Sequence, residues 1–248
     1  MVPRDFHKKT TFVTTGAEAT ENAVKIARAA TGRSTDIAFA GSFYGRTFMG
    51  MSLTGKVEPY KVGFGPIMPG VYHTPLPVEL HGTTTETSLA ARESLFKADV
   101  DPSQVAPFIV EPVQGEGGLY EAPAKFLVAL REIADKHGTL LNADEVQTGF
   151  ARTGRIFTME RAGVCADLTT IAKGLGGGFP IAAVTGRASV MDAPNVGGLG
   201  GTCAGNPVSI AASNAVLDVI ADEQLCAWAE ILGARLKQRL HSLSEAVP

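Results

Sequence analysis

Short apolar segments alternate with amphipathic ones along most of the chain, and this alternation limits the possible folds more than any other feature. Apolar runs of roughly four to eight residues predict strands, and longer runs with apolar residues three and four apart predict helices. The predicted strands are 11–15, 36–40, 106–113, 139–146, 168–173 and 181–186, and the predicted helices are 17–31, 87–99, 123–138, 206–223 and 225–243. We therefore expect an α/β fold with a mainly parallel sheet flanked by helices.

Composition excludes several classes of protein. The chain has 248 residues, of which 45% are hydrophobic and 19% charged, with a net charge of −3. These values are typical of a globular chain with a sizeable core, and they give no basic surface for nucleic acid. No apolar run approaches the length of a membrane span, and residues 1–12 lack the pattern of a signal peptide. We expect a cytoplasmic protein that binds neither nucleic acid nor membrane.

Cysteine and histidine give no sign of a metal site. Cys165, Cys203 and Cys226 are three in number and have no CxxC spacing. This pattern favours a reducing compartment over a disulfide framework or a zinc site. The five histidines also lack metal-ligand spacing, so we predict no metal.

Charged residues follow several of the predicted strands, at the edge of the sheet where parallel α/β proteins bind ligands. Glu111, Asp144 and Lys173 all stand at the end of an apolar segment. Lys173 is the most unusual of them, because burial of an amine without a partner lowers its pKa. A covalent bond between this lysine and a carbonyl cofactor would explain why a lysine stands at the end of an apolar strand.

Two glycine motifs resemble nucleotide sites, but each lacks a required residue. "GMSLTGKV" (50–57) has the GxxxxGK spacing of a phosphate-binding loop, but Val57 replaces the Ser or Thr that holds magnesium. "GLGGGF" (174–179) has Phe179 in place of the third glycine of a dinucleotide fingerprint, and Pro180 follows it. Neither motif predicts a nucleotide site.

The remaining features match the needs of pyridoxal phosphate. This cofactor requires an amine, an acid for its ring nitrogen, a helix N-terminus for its phosphate and a flat contact for its ring. Lys173 can supply the amine and Asp144 the acid, while "TTGAEAT" (14–20) reads as a strand, a glycine turn and a helix start. Phe43 could stack on the ring, and Arg46 could bind a substrate carboxylate.

Each of these residues also has an ordinary structural interpretation. Asp144 could cap a helix, residues 14–20 could form an ordinary helix N-terminus, and Phe43 could belong to the core. Lys173 could lie in a solvated loop, and Arg46 could form a surface ion pair. The residues alone leave open both a cofactor enzyme and a domain without catalytic function.

Longer stretches resemble the class III pyridoxal-phosphate aminotransferases, and among them the 4-aminobutyrate type. The matching stretches are 14–31, 45–66, 109–120, 143–154, 167–186 and 197–207. The most specific is "ADEVQTGFARTG" followed by "IAKGLGGGFP". The resemblance implies the large domain of the fold-type I transferases, which resemble aspartate aminotransferase. Residues 1–223 would form this cofactor domain and 224–248 the first helix of a small C-terminal domain, with an N-terminal segment and the rest of the small domain missing.

The resemblance also implies roles for single residues. Lys173 and Asp144 would be catalytic: Lys173 would bind the cofactor and move a proton, and Asp144 would pair with the ring nitrogen. Thr202 would reach the phosphate bound by the other subunit, which implies a homodimer or a dimer of dimers. The implied cofactor-binding residues are Gly16, Ala17, Phe43, Asp144, Val146, Gln147, Lys173 and Thr202.

The implied substrate-binding residues are Arg46, Glu111 and Glu116. Arg46 would hold a substrate carboxylate, Glu116 would pair with an arginine of the missing domain, and Glu111 would lie near the substrate. The implied reaction moves the amino group of an ω-amino acid, 4-aminobutyrate above all, to 2-oxoglutarate. Its products are succinate semialdehyde and glutamate. The expected partners are therefore an amino donor and a 2-oxo acid.

Two alternatives stay open. Ornithine and acetylornithine aminotransferases share the equivalents of the main site residues, and a mutase or racemase on the same fold is a weaker option. A catalytically incompetent fragment that only dimerises is the second alternative. The departures from the family pattern are Ala17 in place of a frequent serine, Tyr44 in place of histidine, Cys203 in place of an aromatic, and Asn142 within an apolar strand. Asn142 would need a hydrogen-bond partner if buried.

Overall fold

A computed structural model describes residues 6–246 of the chain. Its strands are β1 (Lys8–Val13), β2 (Thr35–Phe39), β3 (Val71–Thr74), β4 (Val105–Val110), β5 (Val113–Gln114), β6 (Tyr120–Glu121), β7 (Leu140–Asp144), β8 (Leu168–Ile171) and β9 (Ala182–Arg187). Its helices are α1 (Gly16–Thr31), α2 (Phe48–Leu53), α3 (Thr85–Ala98), α4 (Ala124–His137), α5 (Met159–Ala162), α6 (Ala188–Met191), α7 (Pro207–Asp222) and α8 (Leu225–Ala246).

The main sheet has seven strands in the order β1-β9-β8-β7-β4-β2-β3. Strands β8, β7, β4, β2 and β3 pair in parallel, whereas β9 runs antiparallel to both β1 and β8. Strands β5 and β6 form a separate antiparallel pair. The predicted α/β fold with a mainly parallel sheet is confirmed.

Helices cover both faces of the sheet. Phe108 and Ile109 are neighbours in β4, and both are fully buried. Phe108 packs in a cluster with Phe126 of α4, and Ile109 packs in a different cluster with Val24 of α1. Successive side chains of a strand point to opposite faces, so α1 and α4 lie on opposite sides of β4. Each large apolar side chain buried in this way contributes about 1.5–3 kcal/mol.

Local signals set the ends of α1 and α4, two of the helices that the sequence predicts closely. At the start of α1, the Thr15 side chain accepts from the Glu18 N–H and the Glu18 side chain accepts from the Thr15 N–H. This reciprocal capping satisfies donors that the first turn leaves unpaired. Helix α1 ends at Gly32 with φ of 68°, and α4 ends at Gly138 with φ of 63°, both left-handed conformations that favour glycine.

The structure corrects two predicted features. The predicted loop 55–82 contains β3, a half-exposed edge strand without the apolar alternation that would reveal it. The predicted strand 168–173 ends at Ile171, and Lys173–Gly176 forms a short 3-10 turn. Lys173 is exposed, so the expectation of an amine at the end of a buried strand is wrong.

The last two helices meet at the predicted domain boundary. Helix α7 ends at Asp222 and α8 begins at Leu225, with Gln224 between them in a left-handed conformation. Apolar side chains of α8, including Trp228, Leu232 and Leu236, are more than half exposed. The division into 1–223 and 224–248 stays a prediction. Within residues 6–246, no helix is long and apolar enough to cross a membrane.

Candidate active site

A cavity of about 420 Å³ lies where the carboxyl ends of β4, β7 and β8 meet the N-terminus of α1. All but two of the predicted site residues line it: Gly16, Ala17, Phe43, Glu111, Glu116, Asp144, Val146, Gln147 and Lys173. The other two, Arg46 and Thr202, are exposed and lie outside the lining. The fold therefore brings into one place groups that are far apart in the sequence.

The N-terminus of α1 forms one wall of the cavity. Thr14 and Thr15 direct their N–H groups at the Glu18 carboxylate, at 2.9 and 2.8 Å. Gly16 and Ala17, the first two residues of the helix, have N–H groups with no acceptor inside the helix. Free N–H groups and the positive end of the helix dipole make a site for an anion such as phosphate.

The loop that carries Phe43 approaches this helix end very closely. A Cβ atom added to Gly45 would lie 2.6 Å from the Cβ of Ala17, and Gly45 also has a φ of 103°. On the other side of the helix end, a Cβ on Gly16 would lie 3.1 Å from Val146. Only small residues therefore fit between the loop, α1 and the turn after β7.

Asp144 is the last residue of β7, and only 4% of its surface is exposed. One carboxylate oxygen accepts from the Val146 N–H at 3.0 Å and the other from the Thr20 hydroxyl at 3.4 Å. Burial raises the pKa of Asp144 to about 6, and the Val146 N–H opposes this shift. A buried carboxylate with so few partners favours a cationic group in the cavity, such as a protonated ring nitrogen.

Lys173 enters the cavity from the 3-10 turn after β8. Its φ is 43°, a left-handed conformation that is costly for a residue with a side chain. Its amine donates to the side-chain oxygen of Gln147, in the turn after β7. Backbone strain of this kind occurs most often at functional sites. Lys173 and Gln147 are both predicted cofactor-binding residues, and in the structure they contact each other directly.

Glu111 follows β4 and braces two loops. One oxygen accepts from the Phe43 N–H at 2.8 Å, and the other accepts from the Gly115 N–H at 3.1 Å. Burial, and then the negative charge of Asp144, raise the pKa of Glu111 to about 8. The carboxyl group therefore holds a proton at neutral pH in this structure. Its contacts are those of a brace between the loops that carry Phe43 and Glu116.

Two residues without a predicted role, Thr20 and Tyr60, contact residues of the site. Thr20 contacts Asp144 from the buried face of α1, one turn after the helix start. Tyr60 contacts both Phe43 and Glu116 at the rim. The position of Thr20 in the predicted helix could have indicated its role, because it lies on the same face as the buried Ala19 and Ala23. Tyr60 lies in an irregular segment that carries no such signal.

The departures from the family pattern have different structural outcomes. Tyr44 is buried, and its hydroxyl donates to the carbonyl oxygen of Ile109 at 2.8 Å. Cys203 and Thr202 are exposed between α6 and α7. Asn142 is buried in β7, and neither atom of its side-chain amide has a hydrogen-bond partner among residues 6–246.

The arrangement defines a class of site. It combines an amine that can react with an aldehyde, a buried acid that favours a cation, and a helix end that binds an anion, around a cavity large enough for a ring. These groups fit pyridoxal phosphate on an α/β fold with a mainly parallel sheet.

Comparison with known proteins identifies the family. Residues 1–247 match the family described as aminotransferase class-III. The chain is 53% identical over 248 residues to 4-aminobutyrate aminotransferase of Escherichia coli, and 51% identical over 248 residues to 5-aminovalerate aminotransferase of Pseudomonas putida. Each match covers 100% of the chain and 58% of the relative. The chain belongs to the class III aminotransferases.

Solved structures agree with this assignment. An amine transaminase from an uncultivated Pseudomonas species, in its PLP-bound form, matches with a TM-score of 0.88 and 30% identity, over 96% of this chain and 58% of that one. Ornithine aminotransferase from Toxoplasma gondii matches with a TM-score of 0.84 and 33% identity, over 96% and 55%. The predicted family, the fold-type I architecture and the pyridoxal phosphate cofactor are confirmed. The chain spans somewhat more than half the length of these relatives.

Proposed function

We propose that the protein carrying this chain is a pyridoxal-phosphate-dependent aminotransferase that takes the amino group from a short ω-amino acid and gives it to a 2-oxo acid. One observation carries the proposal: the amine of Lys173, the carboxylate of Asp144 and the N-terminus of α1 line the same cavity. In a chain more than half identical to two ω-amino acid aminotransferases, this arrangement supports the same reaction type.

Different residues of the chain would bind different parts of the cofactor. The N–H groups of Gly16 and Ala17 would bind the phosphate, and Asp144 would keep the ring nitrogen protonated. Val146 and Phe43 would contact the ring, and Gln147 accepts a hydrogen bond from the Lys173 amine. When bound, the cofactor supplies an aldehyde for the amino group and a ring that accepts electrons from the substrate carbon.

Lys173 then acts as the base and acid of the reaction. Its Nζ would take the proton from the substrate carbon that bears the nitrogen and deliver it to the cofactor carbon that is bonded to the same nitrogen. The hydrogen bond to Gln147 keeps the Lys173 amine at the cavity when the amine is not bonded to the cofactor. Glu111 holds the loops that carry Phe43 and Glu116 in place, and it can do so in its protonated form.

The amino donor is a four- or five-carbon ω-amino acid. Support comes from relatives named for 4-aminobutyrate and 5-aminovalerate, whose identities of 53% and 51% do not separate the two donors. Both donors carry a single carboxylate at the end remote from the amine, which Arg46 at the rim would bind. With 4-aminobutyrate and 2-oxoglutarate, the products would be succinate semialdehyde and glutamate.

An ornithine-type aminotransferase is the second candidate. It is supported by the match to the Toxoplasma gondii enzyme, at the lower identity of 33%. Ornithine carries an α-ammonium group beside its carboxylate, and so would place a second cation near Arg46. A panel of 4-aminobutyrate, 5-aminovalerate and ornithine as donors would separate the two candidates.

We also propose that the protein works as a cytoplasmic homodimer, or as a dimer of dimers. Thr202 is exposed and lies outside the cavity of its own chain, which supports a contribution to the phosphate site of a second copy. Sedimentation equilibrium would show twice the monomer mass for a dimer, or four times that mass for a dimer of dimers, at micromolar concentration. A monomer that binds the cofactor fully would contradict this part of the proposal.

The first test is capture of the cofactor. Pyridoxal phosphate is added to the protein, its visible absorption band is recorded, the complex is reduced with borohydride, and the labelled peptide is mapped by mass. We expect the label on Lys173 alone. The control is Lys25→Arg, because Lys25 bonds to the Gly198 carbonyl outside the cavity and its loss should leave the label unchanged. A label scattered over other lysines, or no label, would contradict the proposed function.

A further inference from the structure

Thr20 contacts Asp144 but has no role in the function proposed above. It lies beside the buried Ala19 on the face of α1 that packs against the sheet, and only 1% of its surface is exposed. Valine has nearly the same shape and would leave no buried hydroxyl to satisfy. The Thr20 hydroxyl also lies at the wall of the cavity, so its presence there calls for a physical reason.

The Thr20 hydroxyl does not bond to its own helix. Threonine hydroxyls within a helix often donate to the carbonyl oxygen four residues earlier. Thr31, at the end of α1, does so and donates to the Ala27 carbonyl at 2.8 Å. The Thr20 hydroxyl instead donates to a carboxylate oxygen of Asp144 at 3.4 Å, and thereby links the helix to the end of β7.

The two oxygens of the Asp144 carboxylate have donors from different elements. One oxygen accepts from the Val146 N–H at 3.0 Å, in the turn after β7, and the other accepts from Thr20 in α1. Thr170 is paired with Asp144 in the neighbouring strand β8, but its buried hydroxyl has no hydrogen-bond partner within residues 6–246. In this structure Thr20 therefore fixes the second oxygen.

The charge of Asp144 depends on the groups around it. Burial raises its pKa to about 6, and four neighbouring groups oppose this shift: the Val146 N–H, the Thr170 hydroxyl, the Lys173 charge and the Thr20 hydroxyl. Two further titratable groups face Asp144, namely Glu111 after β4 and Tyr44 in the loop after β2. Burial above all, and the charge of Asp144 in addition, raise the pKa of both, so both are neutral at pH 6.

We propose that Thr20 is a positioning residue, whose hydroxyl holds the Asp144 carboxylate in place and in its ionised form for the protonated ring nitrogen of the cofactor. The inference rests on the proposed function, in which Asp144 pairs with that nitrogen. A hydrogen bond to the ionised form of a carboxyl group favours ionisation. Without the hydroxyl, Asp144 keeps its proton to a higher pH and must lose it before it can pair with the ring cation.

Thr20→Val tests the inference, because it removes the hydroxyl and keeps the shape of the side chain. At pH 6 it should raise the dissociation constant of pyridoxal phosphate about fivefold, the size of one modest hydrogen bond. The dissociation constant of deazapyridoxal phosphate, in which a C–H group replaces the ring nitrogen, should stay within about twofold. At pH 8, where Asp144 is largely ionised in both proteins, the effect on pyridoxal phosphate should also shrink to about twofold. Titration calorimetry measures both ligands.

Two further variants serve as controls. Thr20→Ser keeps the hydroxyl and should restore the wild-type affinity for pyridoxal phosphate at pH 6. Thr31→Val is the matched control, since it removes a hydroxyl from the same helix that bonds to the Ala27 carbonyl and lies outside the cavity. It should leave the affinities for both ligands unchanged.

The apo-protein gives a readout that needs no cofactor. The folded Thr20→Val variant holds the Asp144 proton to a higher pH than the folded wild type, while the unfolded chains ionise alike. The variant should therefore lose stability relative to the wild type as the pH rises from 5 to 8. In urea unfolding, the ratio of the two unfolding constants should rise about fivefold over this range. For Thr31→Val the ratio should stay constant.

The outcomes separate the inference from the function on which it rests. If the wild-type protein shows no visible cofactor band, both the proposed function and the inference fail. If the band is normal and Thr20→Val weakens both ligands equally, or weakens neither, the function stands and Thr20 has only a structural role. A ratio of unfolding constants that does not change with pH in Thr20→Val would also overturn the inference.

Discussion

Asp144 and Asn142 are two positions apart in β7, so their side chains point to the same face of the sheet, yet within residues 6–246 only the Asp144 side chain has hydrogen-bond partners. A buried amide without partners costs free energy that an apolar side chain of similar volume does not. The two residues show that burial of a polar group can serve a site in one case and lower stability in the next. Asp144 lines the cavity, whereas Asn142 does not.

Replacement of Asn142 by leucine should stabilise the fold. We expect Asn142→Leu to raise the free energy of unfolding by about 1–3 kcal/mol, because it removes two unpaired buried atoms. Urea denaturation of the apo-protein measures the change. Asn22→Leu is the control and should lower stability, since the Asn22 amide donates to the Glu18 carbonyl at 2.8 Å. A loss of stability in Asn142→Leu would contradict the prediction.

Removal of the charge of Asp144 should weaken cofactor binding. Asp144→Asn keeps the shape of the side chain but cannot hold a proton on the ring nitrogen. We expect the dissociation constant of pyridoxal phosphate to rise about 10- to 100-fold, the equivalent of roughly 1.5–3 kcal/mol. Titration of the visible band measures it. Asp192→Asn, which breaks only the exposed ion pair with Lys9, should have no effect. Equal affinities in the two variants would refute the role of Asp144.

Among the elements, those with strong local signals could be predicted to within a few residues. Helix α1 has a capping box at its start and a left-handed glycine after its end, and α4 also ends before such a glycine. Strand β3 lacked any such signal, because it is short and pairs on one side only. The turn at Lys173 was predicted as strand because the apolar run continues to Ala172, while the left-handed backbone that ends the strand has no sequence signature in a lysine.

The candidate site was predicted where residues follow strands and missed where they lie in irregular segments. Asp144 and Glu111 come directly after apolar runs, so the topology of the sheet places them at one edge. Tyr60 lies in a segment with no periodicity, and only the folded structure brings it to Glu116 and Phe43, which line the cavity. Long-range contacts of this kind cannot be read from spacing.

The loop 41–47 packs closely against the N-terminus of α1, and this contact between two elements can be tested. Gly45→Ala should raise the dissociation constant of the cofactor, because its methyl group would push the loop away from Ala17 at the phosphate end. Gly63→Ala is a matched control: Gly63 also has a positive φ, of 84°, but nothing lies within 4 Å of an added Cβ. Both variants carry backbone strain. A larger loss of cofactor affinity in Gly45→Ala would therefore be due to the contact between the added methyl group and Ala17. Equal effects would contradict it.

At the scale of the whole molecule, two buried acids make the stability depend on pH. The pKa of Glu111 is raised from 4.5 to about 8 and that of Asp144 from 3.8 to about 6. As the pH rises above about 4, the unfolded chain ionises these groups while the folded chain keeps their protons. Ionisation therefore favours unfolding, and the apo-protein loses stability as the pH rises from about 4 to about 8.

Glu111→Gln tests this dependence. At pH 5 the variant should be less stable than the wild type, because both oxygens of a protonated carboxyl group can still accept an N–H, whereas the amide nitrogen of glutamine cannot. Between pH 5 and pH 8 the difference should shrink, since glutamine has no proton to lose. Urea unfolding of both proteins at a series of pH values measures the gap. A gap that is constant over this range would contradict the raised pKa.

Strands β1 and β9 are the first and last strands of the main sheet in the sequence, and they pair from Val13 with Ala182 to Lys8 with Arg187. Helix α1 follows β1 after only Thr14 and Thr15, so the place of its N-terminus depends on this pairing. About 155 residues separate Ala17, at the N-terminus of α1, from Lys173, so these two parts of the site meet only after the chain between them has folded. Loops of such length close late, so affinity for the cofactor would develop at the end of folding. A ligand that binds only the completed sheet would then draw late intermediates toward the native state by mass action.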